Sequence, residues 1–249
     1  MHKQTFFIQN REGLKISVTS NINKNNTKLV FVMHGLLGSQ NQTLIKKISQ
    51  TFKNKDFNVI SFDTTNSNGK SDGDINNACV KNYYNDLEDV INWASTQDWY
   101  SEPFTLIGHS VGGFSVAFYA EKYPKKVCAL ELISPFISGL LSLEAYNKIY
   151  MYNPQKIEDL PFAYFEGLGY TLFSLIENLI MPVIIIIGEK DRTILPNHAR
   201  ILYESLPGKK EFHIIKNAPH TFRNTGHLKE INRISENWIN KILINKKSI

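Results

Sequence analysis

The 249-residue sequence has only two cysteines, Cys79 and Cys128, and no long apolar run. Two cysteines cannot build a disulfide framework, and without a CxxC spacing they do not suggest a metal site, so we interpret both as reduced structural residues. The most apolar stretch, residues 180–187, is far shorter than the roughly 20 residues that cross a bilayer, and it predicts a buried parallel strand. The N-terminal residues reach Arg11 before any apolar segment typical of a secretion signal, so we expect a cytoplasmic protein.

The sequence also lacks a concentration of charge of one sign. Its 28 Lys and Arg against 23 Asp and Glu give a net charge of +5, but the basic residues are spread out and meet only in short pairs such as Lys46-Lys47. Binding of nucleic acid normally requires basic residues gathered on one face, so we predict no nucleic-acid partner. With 42% hydrophobic residues, no internal repeat and no Pro/Gly/Ser-rich linker, we expect one domain with a large core.

Short apolar runs alternate with helical patterns along most of the chain. Residues 6–9 and 14–20 alternate in polarity around Arg11-Glu12-Gly13, which predicts a hairpin. The β-rich runs that follow are mostly continuously apolar, which is typical of strands covered on both faces, and they lie at residues 29–33, 57–62, 104–107, 127–133 and 183–187. Apolar side chains fall on one helical face at residues 84–94 and again at residues 228–242. This alternation predicts an α/β protein with a mostly parallel sheet.

One connection is longer than a single crossover requires. About 45 residues separate the strand that ends near Pro135 from the strand at Val183, and this stretch is rich in aromatic residues. We interpret residues 136–175 as a small inserted cap, and residues 1–135 and 176–249 as the core that it covers. The alternative is an elaborated helical crossover in which the aromatic residues only fill the core.

The motif Gly108-His109-Ser110-Val111-Gly112 lies between the strand at 104–107 and a helical stretch at 114–123. A serine on so sharp a turn projects its hydroxyl away from the sheet, and the small residues two positions before and after it let neighbouring backbone come close. This context is typical of a catalytic nucleophile, and we predict that role for Ser110.

Acyl transfer also needs two backbone donors directed at the oxyanion that develops. His34-Gly35-Leu36-Leu37-Gly38 follows the strand at 29–33, so we predict that the N–H groups of Leu36 and Val111 form the oxyanion hole. The alternative for this loop is an ordinary glycine-rich turn between a strand and a helix.

Two further loops complete a candidate triad. Asp191 follows the strand at 183–187, and we prefer it to Glu189 because the first residues of the turn should still be leaving the strand. His220 lies between the last strand, residues 211–215, and the C-terminal helix, whereas His213 lies within the strand and His227 opens the helix. We predict Asp191 as the acid and His220 as the general base. The alternatives are a surface turn around Asp191 and a solvated loop histidine.

Over nearly its whole length the sequence resembles the α/β-hydrolase superfamily of serine hydrolases. The resemblance rests on His34-Gly35, on the motif around Ser110 and on the loops of Asp191 and His220. Asp63 with residues 69–73 also resembles the family's loop of Asp, Gly and Ser, although Asn-rich residues stand where an Arg-Gly pair is usual. The size of the cap is similar to that of small carboxylesterases, including cinnamoyl or feruloyl esterases, and of monoacylglycerol lipases.

The resemblance implies an eight-stranded, mostly parallel sheet with helices on both faces, and cleavage of the ester of a small or medium apolar or aryl substrate through an acyl-enzyme on Ser110. It implies neither a metal nor an organic cofactor, and it leaves open whether the chain forms a homodimer. The same triad could serve a thioesterase, an amidase or a C–C hydrolase, and some proteins of this fold are ligand-binding proteins without catalysis. The residues that we expect to contact substrate are His34, Leu37, His109, Phe136, Tyr164 and Phe165.

Overall fold

A computed structural model describes residues 2–149 and 166–245. Within these residues the strands are β1 (His2–Gln9), β2 (Lys15–Ile22), β3 (Leu29–Met33), β4 (Asn58–Phe62), β5 (Phe104–His109), β6 (Val127–Ile133), β7 (Val183–Gly188) and β8 (Lys210–Ile215). The helices are α1 (Thr43–Asn54), α2 (Val80–Ser95), α3 (Val111–Lys122), α4 (Gly139–Ile149), α5 (Pro196–Ser205) and α6 (Thr225–Asn245).

These eight strands form one sheet in the order β1-β2-β4-β3-β5-β6-β7-β8. The predicted hairpin is confirmed, since β1 and β2 pair in antiparallel fashion with Phe6 opposite Val18. β2 is also antiparallel to β4, and from β4 to β8 each neighbouring pair is parallel. The predicted α/β class with a mostly parallel sheet is therefore confirmed.

Helices cover both faces of the sheet, and this explains why the central strands are mostly apolar. In β3, Leu29, Phe31 and Met33 belong to the core cluster that includes side chains of α2 and α3. Val30 and Val32 point the other way, into the cluster that includes side chains of α1 and α6. Because successive strand residues face opposite sides, a sheet buried on both sides favours apolar residues at successive positions.

The helical faces identified in the sequence are buried as expected. In α2, Leu87, Val90 and Ile91 are at most 1% exposed, and α2 packs against α3. In α6, Ile231 and Trp238 are buried in the other cluster, where α6 packs against α1. None of the helices within residues 2–149 and 166–245 is both long and apolar enough to span a bilayer.

The predicted cap, residues 136–175, falls partly outside the described residues, and its boundaries stay a prediction. Its described ends are held together by an antiparallel bridge between Ser138 and Thr171. The Gly139 N–H also donates to the Tyr170 carbonyl at 3.0 Å. α4 begins at Gly139, and residues 134–138 connect it to β6.

Candidate active site

Ser110 occupies the turn between β5 and α3 with φ 55° and ψ −122°, a conformation that an L-residue adopts only under strain. A Cβ at Gly108 would lie 2.2 Å from the Gly112 carbonyl oxygen, and a Cβ at Gly112 would lie 2.3 Å from the His34 carbonyl oxygen. Both glycines are therefore required by close backbone approach. The turn is tied to the neighbouring strand, because the Ser110 N–H donates to the Ile133 carbonyl at 3.0 Å.

The structure brings Ser110, Asp191 and His220 together at the carboxyl edge of the sheet. His220 Nε2 lies 3.0 Å from Ser110 Oγ, and His220 Nδ1 lies 2.9 Å from Asp191 Oδ2. Because an ionised carboxylate can only accept hydrogen bonds, Nδ1 carries the proton and Nε2 is left to accept the serine hydroxyl. The imidazole of His220 can thus remove the hydroxyl proton of Ser110.

The carboxylate of Asp191 is fixed as well as buried. Its other oxygen, Oδ1, accepts the N–H groups of Thr193 at 3.0 Å and Ile194 at 2.9 Å, and the residue is 2% exposed. Glu189 takes a different role, since its carboxylate accepts the Asn217 N–H at 2.8 Å. Both acids therefore bind backbone, but only Asp191 contacts the imidazole.

The loops of Asp191 and His220 are joined directly. The Lys190 N–H donates to the Ala218 carbonyl at 2.9 Å, and a Cβ at Gly188 would lie 2.3 Å from the same carbonyl oxygen. A side chain at position 188 would push the two loops apart. The glycine at the end of β7 therefore sets the distance between the acid and the base.

Leu36 and Val111, the predicted oxyanion donors, face the same cavity as Ser110. Within the described residues, neither backbone N–H donates a hydrogen bond to the protein. Val111 is the first residue of α3. At this end of a helix the N–H groups lack intrahelical acceptors and the helix dipole has its positive end. The two N–H groups can therefore donate hydrogen bonds to a negatively charged oxygen.

Buried aromatic side chains hold the loop that carries Leu36. His34 Nδ1 donates to the Gly35 carbonyl at 2.8 Å, and its Nε2 accepts the Thr64 N–H at 3.1 Å. Burial lowers the pKa of His34, which keeps the ring neutral and able to accept that bond. The Tyr83 hydroxyl donates to the same Gly35 carbonyl at 3.2 Å. Tyr83 cannot be recognised from the sequence, because its place on the buried face of α2 resembles that of any core residue.

His109 lies directly behind His220. Its Nε2 donates to the His220 carbonyl at 3.0 Å, and the two ring centroids are 4.9 Å apart. Burial, followed by repulsion from a charged His220, lowers the pKa of His109 to about 3. His109 is therefore a neutral hydrogen-bond donor to the loop that carries His220.

A cavity of about 260 Å³ opens in front of Ser110. Its described lining is mostly apolar and consists of Leu36, Leu37, Val80, Ser110, Val111, Phe136, Gly139, Ser142, Gly167, Thr193, Ile194 and His220. Of the predicted substrate contacts, Leu37 and Phe136 lie in this lining, whereas His34 and His109 are buried outside it. Tyr164 and Phe165 lie outside the described residues. Val80 and Gly167 were missed, since neither belongs to a recognisable motif.

The loop after β4 supports the site from the side. Asp63 accepts the N–H groups of Gln40 at 2.7 Å and Lys70 at 2.9 Å, and its carbonyl accepts the Ser71 hydroxyl. A Cβ at Gly69 would lie 2.2 Å from the Asp63 carboxyl carbon, so the loop needs a glycine there. Asp63 therefore keeps its hydrogen bonds, although Asn-rich residues replace the Arg-Gly pair that is usual in the family.

The two cysteines are free thiols. In the described part of the chain, no three His, Cys, Asp or Glu side chains are grouped so that they could hold a metal ion.

A family of hydrolases and several solved structures are similar to this chain. The sequence model of the family described as serine aminopeptidase, S33, matches residues 24–157, more than half of the chain. No curated protein sequence matches at a comparable level of significance.

Solved structures match over almost the whole chain. Est1E from Butyrivibrio proteoclasticus with ferulic acid bound has a TM-score of 0.81 at 17% identity, covering 96% of this chain and 99% of that one. Alpha/beta hydrolase domain-containing protein 10 from mouse has a TM-score of 0.77 at 18% identity, with 96% and 99% coverage. The esterase Pf2001 from Pyrococcus furiosus has a TM-score of 0.75 at 20% identity, with 98% and 90% coverage. These likenesses establish the α/β-hydrolase fold predicted from the sequence.

Proposed function

The chain belongs to the hydrolase family described as serine aminopeptidase, S33, and on this premise we propose that it is a serine esterase. Ser110 is its nucleophile, His220 its general base and Asp191 the acid that orients the imidazole. The observation that carries this proposal is the continuous chain of hydrogen bonds, 3.0 Å from Ser110 Oγ to His220 Nε2 and 2.9 Å from His220 Nδ1 to Asp191.

The reaction has two halves. His220 removes the proton from Ser110 as its oxygen attacks the ester carbonyl, and the buried Asp191 stabilises the imidazolium that forms. His220 then gives that proton to the leaving alcohol as the tetrahedral intermediate collapses to an acyl-enzyme on Ser110. A water molecule activated by the same imidazole releases the acid and restores the serine.

The backbone N–H groups of Leu36 and Val111 stabilise the oxyanion. Their lack of a protein acceptor among the described residues, together with their place in the cavity wall, supports this role. Losing one such donor typically raises the barrier by about 3 kcal/mol in other hydrolases. His34 and Tyr83 are positioning residues here, since both bind the Gly35 carbonyl next to Leu36.

The cavity favours an uncharged ester over the amino terminus of a peptide. No Asp or Glu side chain is present in its described lining. A free α-amino group would enter this apolar space as an unpaired charge, which is strongly unfavourable. Among the neighbours, Pf2001 is an esterase and Est1E holds ferulic acid, a carboxylic acid of the kind that ester hydrolysis releases.

Labelling by a fluorophosphonate probe tests the nucleophile and separates catalysis from ligand binding alone. We expect one covalent adduct on the wild-type protein, none on Ser110→Ala, and hydrolysis of p-nitrophenyl acetate only by the former. Ser115→Ala is the matched control, because Ser115 lies on α3 five residues further on and is fully buried. Labelling that persists in Ser110→Ala would show that another residue is the nucleophile. A parallel panel of thioesters and anilides then compares the other bonds that the same triad could cleave.

A further inference from the structure

We propose that Val80, Phe136 and Gly167 form the wall of an acyl-binding pocket, and that the missing side chain at position 167 sets the depth of this pocket. This inference rests on the proposed esterase function. All three residues line the cavity in front of Ser110. A Cβ at Gly167 would lie 3.6 Å from Val80 Cγ2 and 3.7 Å from Phe136 Cζ. A methyl group there would therefore fit without a clash, but it would take up space between the other two side chains.

Hydrogen bonds on both sides of Gly167 hold this wall in place. The Glu166 carboxylate accepts the Val80 N–H at 2.9 Å and the Lys81 N–H at 3.3 Å, at the N-terminus of α2, where the helix dipole favours a negative charge. On the other side of Gly167, the Tyr170 N–H donates to the Gly167 carbonyl at 3.1 Å. These bonds hold Gly167 beside Val80, although the two residues are distant in sequence.

Phe136 connects the wall to the nucleophile. Its backbone N–H donates to the Ser110 carbonyl at 2.9 Å, and its ring packs edge-on against Phe114 in α3 with centroids 5.3 Å apart. The ring is thus fixed relative to the reacting hydroxyl. A chain bonded to the acyl carbon on Ser110 meets this wall at a defined distance.

The position of His220 assigns this side of the cavity to the acyl group. Because His220 must give its proton to the leaving oxygen, the alcohol lies against the imidazole. Thr193 and Ile194, whose N–H groups bind Asp191, line the cavity on that side. The wall of Val80, Phe136 and Gly167 is left for the acyl chain. Since the side chains of Val80 and Phe136 offer only apolar surface, the pocket takes an uncharged, apolar acyl group.

A chain-length series of p-nitrophenyl esters, from acetate through butyrate and hexanoate to octanoate, tests the wall. In Gly167→Ala we expect the ratio of kcat/KM for hexanoate to that for acetate to fall about tenfold, since a single methylene in a tight apolar pocket has an effect of this size. In Val80→Ala the optimum should move to longer esters. The double variant Val80→Ala with Gly167→Ala should recover most of the hexanoate ratio, because it returns the space that the new methyl fills.

Gly169→Ala is the matched control. Gly169 is two residues away and exposed, and a Cβ there would have no atom within 4 Å, so its variant should show the wild-type ratio. The wall assignment is overturned if Gly167→Ala and Val80→Ala both keep the wild-type chain-length profile, or if they lose activity equally on every ester. In that case turnover of the esters by the wild-type protein still supports the esterase proposal. A wild-type protein that neither hydrolyses these esters nor takes up the fluorophosphonate overturns the esterase proposal itself, and the wall assignment with it.

Discussion

Replacement of Asp191 by asparagine should disable the base without disturbing the fold. The amide of asparagine has one acceptor and one donor end, and the structure decides how it is oriented. The N–H groups of Thr193 and Ile194 both donate to Oδ1, so the carbonyl end must stay there. The NH2 group then faces His220 Nδ1, which has to accept rather than donate.

This reversal moves the imidazole proton to Nε2, the atom that should receive the proton of Ser110. A wrong tautomer of this kind lowers kcat by about 10⁴-fold in a serine protease, which corresponds to about 5 kcal/mol of barrier. We expect a loss of this size in Asp191→Asn with little change in KM, because Asp191 is outside the described lining of the cavity.

The assay is steady-state hydrolysis of p-nitrophenyl acetate, accompanied by a thermal melt. Asp56→Asn is the control, since Asp56 is exposed and its φ of 59° is one that asparagine tolerates well. A kcat for Asp191→Asn within tenfold of the wild-type value, from a folded protein, would refute the assigned role of the carboxylate.

Two further predictions concern buried polar groups. Burial raises the pKa of Glu131 from 4.5 to about 7, so the unfolded chain releases this proton at lower pH than the folded one, and stability is lost as the pH rises between these values. The unfolding free energy of Glu131→Gln, measured by urea denaturation, should therefore rise relative to that of the wild type by about 3 kcal/mol between about pH 4 and pH 8. If the two proteins instead lose stability in parallel with pH, the prediction is wrong. His109→Leu removes the donor to the His220 carbonyl, and we expect kcat to fall about fivefold, with partial recovery in His109→Gln, which keeps a side-chain N–H. Equal kcat values in the two variants and wild type would exclude a positioning role for His109.

Most of the sheet could be predicted from local sequence. The limits of β3 and β6 coincide with the apolar runs at 29–33 and 127–133, because burial on both faces favours apolar residues at successive positions. The buried Glu131 in β6 is an exception to this pattern. β5 extends beyond its apolar run to His109. Gly108 and His109 remain paired with Leu132 and Ile133, so the neighbouring strand, not local propensity, decides where β5 ends.

That the site residues meet could also be predicted from the sequence, since parallel strands place their C-terminal loops at one edge of the sheet. What the sequence could not provide is the role of residues that act through tertiary contacts. Tyr83 has the spacing of a core residue in α2, yet its hydroxyl reaches the Gly35 carbonyl, and only the packing of α2 on the sheet reveals this. His34 follows β3 and His109 ends β5, both next to the site, but their ring nitrogens bind backbone rather than face the cavity.

The contrast between Ser110 and Gly167 shows where sequence information stops. The conformation of Ser110 is imposed by its immediate neighbours, because Gly108 and Gly112 admit the close backbone contacts that the turn requires, and a short motif is therefore enough to identify it. Gly167 gains its importance from Val80, 87 positions earlier, and the Glu166 carboxylate next to Gly167 binds the N-terminus of α2 where Val80 lies. Chemistry that depends on a local turn leaves a pattern in the sequence. Substrate selection that depends on an apolar wall assembled from distant segments leaves none, and it has to be measured residue by residue.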